Sequence, residues 1–361
     1  MKKLLTISIP TWNREFLLQE LLNDLTQQII TFSLENSIEI LVSDNNSEDN
    51  TWKLICQYKD KFDFITTNKN DCNIGAKSNV LKSMELANSE YVLFVGDDDR
   101  IRKNSLPELL NILRSSPNLG VLIDINNYKY KDQFSNGYLD LSTTLECFYW
   151  YMGNASHFVC KSDFFKKYLQ KHGYDYFNEC WPQTQIMILG LTESKLAPFV
   201  IDLNIHIESK HSLVMVYNSY YLWRTCIYDL LISVKTIKDQ IPEEIFNSCR
   251  QQMKSGIKQN FLNILQCGVF VDDEITKKKT RDDIINKLHM FSIVEKLFLS
   301  IIVVALSLPA IISKFISNCF IWITKGKKGI VKKNTFVTGE LQKKKKILEQ
   351  SKQVRSLVFE K

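Results

Sequence analysis

A chain of 361 residues has room for one large domain with an accessory region, or for two ordinary domains. Its hydrophobic fraction of 45% and charged fraction of 24% exclude a disordered or fibrous protein. The net charge of +6 is unevenly spread: acidic clusters fall in the first 150 residues and dense lysine runs in the last 90, a basic end that suits lipid headgroups or nucleic acid.

The opening MKKLLTISIPTWN carries two lysines, but its apolar run is too short for a signal peptide and alternates as a strand does before Pro10. Strand is predicted over Leu4 to Ile9, followed by a helix over Arg14 to Gln28 with leucines at helical spacing. Ile38 to Ser43 reads as a second buried strand that stops at Asp44-Asn45-Asn46. A helix from Thr51 to Tyr58 and a strand from Phe62 to Thr66 come next. Asn73-Ile74-Gly75-Ala76 opens a helix running to Ala87. The strand Tyr91 to Val95 is stopped by Gly96-Asp97-Asp98-Asp99, and a helix over Leu106 to Arg114 and a strand over Leu119 to Ile125 complete the alternation. Strands separated by helices of this length call for an α/β fold, a parallel sheet with helices on both faces. From 130 to 220 the alternation weakens, and 220 to 290 reads as mainly helical. The nine cysteines form no Cys-x-x-Cys pair, so reduced and mostly buried thiols are expected rather than a disulfide framework or a zinc site.

Three strands end in polar clusters, Pro-Thr-Trp-Asn-Arg, Asp-Asn-Asn-Ser and Gly-Asp-Asp-Asp, and ligands of open α/β sheets bind at the carboxyl ends of strands. Three carboxylates after an apolar strand are costly unless a cation neutralises them. Mg²⁺ or Mn²⁺ held by carboxylate and phosphate oxygens fits Asp97, Asp98 and Asp99, and a solvated acidic turn is the alternative. Asp44 suits the N–H edge of a nucleobase or an Asx turn. Trp12 suits stacking on a base. Arg14 and Lys77 are suited to phosphate, and Asn73 with Gly75 makes a turn that allows close approach of a ligand to a helix N-terminus.

Together TISIPTWNR, VSDNNSEDNT and NIGAKSNVLKSMELANSEYVLFVGDDD resemble the N-terminal half of glycosyltransferase family 2, inverting enzymes with the GT-A fold. The resemblance is strong over residues 4 to 125 and loose over 125 to 220. It implies a GT-A, Rossmann-like nucleotide-diphospho-sugar transferase sheet flanked by helices, with a mainly helical C-terminal region. The resemblance implies a catalytic domain over 1–220 (a nucleotide-sugar half, 1–125, and an acceptor half, 126–220), and the residue pattern adds a helical region over 221–295 and a membrane-associating segment with a basic tail over 296–361. Pro10, Thr11, Trp12 and Asp44 would hold the nucleoside, with Arg14, Asn73 and Lys77 beside the phosphates. Asp97 and Asp99 would form the Asp-x-Asp element that binds the sugar diphosphate through Mn²⁺ or Mg²⁺, with Asp98 at the donor sugar. Glu179, flanked by aromatic residues that would raise its pKa, is the expected base, and Asp175 its competitor. His211, before Ser212, resembles a further metal ligand of some members. His157 lies in the acceptor region without a distinguishing signal.

Leu297 to Thr324 is apolar but broken at Pro309 and Lys314, and lysines flank it on both sides. An in-plane or re-entrant anchor therefore suits it better than a span, with a buried core helix as the further alternative. The expected protein moves a sugar from a nucleotide-diphosphate sugar to a saccharide acceptor, lipid-linked, at the cytoplasmic face of the plasma membrane, with no nucleic-acid partner. A sugar nucleotidyltransferase, which would carry a glycine-rich loop after the first strand, and a non-catalytic membrane-bound scaffold are the alternatives.

Overall fold

The structure, a computed structural model, describes residues 2–308 apart from 127, 129, 150, 151, 153, 154, 179, 181, 209–218 and 271. Elements follow in chain order as β1 (Leu5–Thr11), α1 (Glu15–Thr31), β2 (Ile38–Asp44), α2 (Thr51–Lys61), β3 (Ile65–Lys69), α3 (Ala76–Glu85), β4 (Tyr91–Phe94), β5 (Asp99–Ile101), α4 (Ser105–Ser115) and β6 (Leu119–Asp124). There follow β7 (Gly137–Tyr138), α5 (Leu141–Phe148), β8 (Phe158–Lys161), α6 (Ser162–His172), α7 (Pro182–Glu193), β9 (Ala197–Ile201) and β10 (His206–Glu208). The helices α8 (Ser219–Trp223), α9 (Asp229–Thr236), α10 (Glu243–Phe270), α11 (Glu274–Lys287) and α12 (Ile293–Ser307) complete the described chain. Two compact units result: residues 1–216 with 225–256, and residues 217–224 with 257–361.

The first unit is built on an eight-stranded sheet of order β3-β2-β1-β4-β8-β6-β9-β7. The run β3-β2-β1-β4 is parallel, as the strand–helix alternation predicts. Beyond it the sheet is mixed, because β8 inserts antiparallel between β4 and β6 and β7 pairs antiparallel with β9. The apolar strands are buried on both faces, and every residue of β2 is buried. Leu18, Leu21, Leu22, Leu25 and Ile29 of α1, spaced three and four apart, join Leu5, Ile7, Ile9, Ile38, Ile40 and Val42 in one core. The polar residues of these strands are satisfied in the interior. Glu39 accepts from Thr6 (2.8 Å) and Thr66 (2.9 Å), and the Ser8 hydroxyl donates to Ser83 (2.8 Å).

The chain passes from β1 to β2 and β3 on one side and then crosses to β4 on the other, so a crevice opens between the carboxyl ends of β1 and β4. Thr11 pairs with Asp44, and Asp44 with Lys69, so the three strands end level with one another.

The second unit holds α8, the later turns of α10, α11 and α12. The Trp223 indole donates to Asp283 (2.7 Å), and Ser219 donates through its hydroxyl to Asp272. A Cβ on Gly268 would lie 2.3 Å from Leu306, so the glycine permits close packing of α12 on α10. Among the described residues Cys56, Cys72, Cys147, Cys160, Cys180, Cys249 and Cys267 take part in no disulfide. No helix among the described residues is long and apolar enough to cross a membrane, and the rest of the predicted anchor, 309–324, lies outside those residues.

Candidate active site at the strand ends

The loop after β1 is stitched to the loop after β2. Asn45 N donates to Thr11 O (2.9 Å), Asn13 N to Ser47 Oγ (2.9 Å), Arg14 N to Thr51 Oγ1 (3.0 Å) and Glu48 N to Asn13 Oδ1 (2.8 Å). Asn13 sits at φ 51°, a left-handed conformation that asparagine tolerates. This bracing holds Trp12 partly exposed beyond the carboxyl end of β1, directly after Pro10 and Thr11. Asp44 is fully buried and accepts from Ser47 N (3.1 Å) and Ser47 Oγ (2.5 Å), so the Asx turn is formed here.

A network of amides continues along the strand ends. Asn45 Nδ2 donates to Asn73 Oδ1 (2.8 Å), and Asn73 Oδ1 also accepts from Gly75 N (2.9 Å). Asn45 Oδ1 accepts from Asn70 Nδ2 (3.1 Å) and Ile74 N (3.0 Å). Gly75, at φ 83°, then turns the chain into α3, which starts without a side-chain cap. Lys77 does not stand free beside this turn: its ammonium donates to Phe177 O at 3.5 Å, tying α3 to the segment before α7.

The acidic triplet follows β4. Val95 N donates to Ser8 O (2.9 Å), which carries Gly96 and Asp97 alongside the end of β1, where Thr11 Oγ1 donates to Asp97 Oδ2 (2.8 Å). Arg14 Nη1, buried and without a hydrogen-bond partner, lies 3.9 Å from both Asp97 Oδ1 and Asp98 Oδ2. Burial pushes the Asp97 carboxyl up to about 6; Arg14 and the Thr11 hydroxyl pull it down, and Asp98 and Asp99 add to the rise. Asp99 accepts from Gly96 N (3.2 Å) and from the Ser156 hydroxyl. A Cβ on Gly96 would lie 3.0 Å from Asp99 Oδ2 and 3.1 Å from Asp98 Oδ1, so both carboxylates fold back over the space that glycine leaves.

Asp99 also begins β5, whose antiparallel partner β10 sets Glu208 opposite Asp99. The path into β10 is fixed by Asp124 at the end of β6, buried, whose carboxylate accepts from Leu203 N (3.1 Å), Asn204 N (3.1 Å) and Ile205 N (2.5 Å). His211 follows three residues after β10 and lies outside the described residues, as does Glu179. Both neighbours of Glu179 are fastened: Asn178 N donates to Gln185 Oε1 (2.7 Å), and Cys180 N to Asn178 Oδ1 (2.8 Å). Asp175 sits in a 3-10 turn over Tyr174–Tyr176, and His157 ends another over Ala155–His157.

The structure therefore gathers Thr11, Arg14, Asp97, Asp98 and Asp99, and links Asp44 to Asn73 through Asn45. Sequence reasoning missed Asn45, Ser156 and Asp124. Asn45 and Asp124 stand at strand ends, a position that signals a site. Ser156 lies in a stretch without pattern. Among the described residues no three His, Cys, Asp or Glu side chains converge on a metal position. A divalent cation shared with phosphate needs only one or two carboxylates, so Asp97 and Asp99 still fit it, and a cation there would relieve the raised pKa of Asp97.

The mixed α/β sheet flanked by helices has the GT-A fold, as its likeness to solved transferase structures shows. Staphylococcus aureus TarS has this fold, with a TM-score of 0.56 at 15% identity over 82% of this chain and 50% of that one. A mannosyltransferase from Pyrobaculum calidifontis, solved with GDP-Man and Mn²⁺, gives 0.53 at 12% identity over 84% and 87%. The family model for glycosyl transferase family 2 matches residues 6–172, and this part of the chain is a family 2 domain. The abequosyltransferase RfbV of Salmonella typhimurium is 38% identical over 117 residues, 32% of this chain and 34% of that protein. A Campylobacter jejuni enzyme named GalNAc(5)-diNAcBac-PP-undecaprenol beta-1,3-glucosyltransferase is 32% identical over 111 residues, 29% and 33% of the two chains. The match thus spans a third of the length of these curated relatives, and Glu179 and His211 fall beyond residue 172.

Proposed function

We propose that the chain is an inverting glycosyltransferase that moves a sugar from a nucleotide-diphosphate sugar to a hydroxyl of a lipid-linked saccharide in cell-envelope polysaccharide synthesis. It would work at the cytoplasmic face of the plasma membrane. The observation that carries this reading is the joining of the acidic triplet to the β1 loop, through Thr11 and Arg14, in the crevice that also presents Trp12 and leads to Asp44. Support comes from the names of the relatives, all sugar transferases, one of them acting on an undecaprenol-linked glycan. Solved TarS with UDP-GlcNAc, of TM-score 0.53, adds a nucleotide sugar in a domain of the same fold.

In this reading Trp12 stacks on the base and Pro10, Thr11 and Asp44 hold the nucleoside, with Asp44 fixed by its turn. Arg14, with a donor to spare, faces the phosphates, and Asn73 shapes the turn before α3. Asp97 and Asp99, with His211, would hold Mn²⁺ or Mg²⁺. When bound, the cation offsets charge on the departing diphosphate. Asp98 addresses the donor sugar. Glu179 takes the acceptor hydroxyl proton as that oxygen attacks the anomeric carbon from the face opposite the diphosphate. Lys77, which binds Phe177 O, ties the donor half to the segment that carries this base.

The test is release of nucleoside diphosphate from UDP-, GDP-, CDP- and dTDP-sugars in the presence of membrane lipid extract, with the product anomer read by NMR. Release that depends on extract and yields the inverted anomer is expected. Release of pyrophosphate from a nucleoside triphosphate and a sugar phosphate, with no transfer, would overturn the reading.

A further inference from the structure

One helix of the second unit breaks the usual pattern of a surface helix. The buried side of α12 is formed by Leu299, Ile302, Ala305 and Leu306. The opposite side carries Ile293, Val294, Leu297, Ile301 and Val304, with Ser300 and the exposed Ser307 along its edge. Ile293 is 78% exposed, Val294 61%, Leu297 64% and Val304 53%. At 100° per residue these five apolar positions fall within roughly a 100° arc, over about 17 Å of helix. A solvent-facing arc ordinarily carries the charged residues, so an apolar one marks a surface that something covers.

Charge along the chain indicates what covers it. Residues 309–361 hold thirteen Lys and Arg against three Glu, so within a chain of net charge +6 the first 308 residues are at −4. The apolar arc therefore leads straight into the one strongly basic part of the sequence, which begins with the uncharged stretch 315–324. An apolar stripe continuous with concentrated positive charge matches the acyl boundary and headgroups of an anionic bilayer. A soluble partner would need both features on one surface.

We propose that α12 lies in the plane of an anionic membrane surface, with Ile293, Leu297, Ile301 and Val304 turned into the lipid. This surface rests on the helix and on the charge of residues 309–361, and does not depend on the transferase reading. The measurement is flotation of the full chain with phosphatidylcholine vesicles, with and without phosphatidylglycerol. The wild type floats with the anionic vesicles, and less so as salt is raised. Replacing Leu297→Asp together with Val304→Asp lowers the bound fraction roughly tenfold or more, since charge enters the apolar boundary. The melting curve is unchanged, because both side chains are exposed. Leu297→Ser with Val304→Ser gives a smaller drop in the same direction and covers the case in which the charged pair impairs folding. Three results overturn the proposal: no flotation of the wild type, which assigns the arc to the chain's own residues 309–361; equal flotation of wild type and both variants; or a concentration-dependent dimer that the variants abolish, which assigns it to a second copy.

Discussion

In the half of the sheet built on β1–β4, side chains join the loops at the ends of neighbouring strands: Asn13 to Ser47 and Glu48, Asn45 to Asn73, Thr11 to Asp97. The half built on β6–β9 is held by segments outside the strand–helix alternation. There Asp124 fixes residues 203–205, β10 pairs with β5, and Ser156 reaches Asp99. On the proposed reading the first half forms the nucleoside seat. The second brings distant segments up to the acidic triplet, which therefore takes its geometry from both. Substitutions can separate the two contributions.

The largest effect is expected at the triplet. Asp99→Ala should abolish transfer, by a factor of about 10³ or more, and remove metal-dependent nucleotide binding while leaving the melting temperature near that of the wild type. Glu179→Gln should lower turnover by roughly 10² to 10⁴ and keep nucleotide affinity. Near wild-type turnover in that variant would refute the base assignment.

Asp124→Asn probes the second half. It leaves a donor facing the buried amide of Ile205, at a cost of about 1 to 3 kcal/mol, read as a lower melting temperature. If β10 positions Asp99, metal-dependent binding weakens as well, whereas metal-independent nucleoside affinity stays with the first half. A variant that loses both equally would erase the distinction between the halves. Gly96→Ala should cost about tenfold in metal-dependent affinity and little stability, since the new Cβ displaces the Asp98 and Asp99 carboxylates by a few tenths of an ångström.

The pH profile gives the mildest change. The Asp97 carboxyl, ordinarily near 3.8, is pushed up to about 6 by burial, so without a cation its ionised form costs stability above pH 6, and that cost fades as pH falls through 6. A cation favours the ionised form. The rise in melting temperature produced by Mn²⁺ should therefore be larger at pH 7.5 than at pH 5.5, and equal rises would contradict the placement of the cation at Asp97.

The sequence showed most of the first half because its signals are local. Parallel central strands read as apolar runs, each followed by a polar cluster, and helices show their leucine spacing. The elements it concealed are set by pairing between distant segments. The strands β5 and β10 have three residues each, and β8, Phe158–Lys161, is too short to reveal that it runs antiparallel between β4 and β6. The same division holds for the site. Thr11, Arg14 and the three aspartates were legible as strand-end polar residues. Ser156 was not, since one serine has no period, and the attachment of Lys77 to Phe177 spans a hundred residues.

The central claim is that the carboxylates after β4 and the Trp12–Asp44 crevice form one site for a metal-bound nucleoside diphosphate. Isothermal titration of the full chain with UDP, GDP, CDP and dTDP, each with and without Mn²⁺, tests it directly. At least one nucleotide should bind with an affinity that depends on the metal, and Asp99→Ala should remove that dependence. No metal-dependent binding of any of the four would contradict the account.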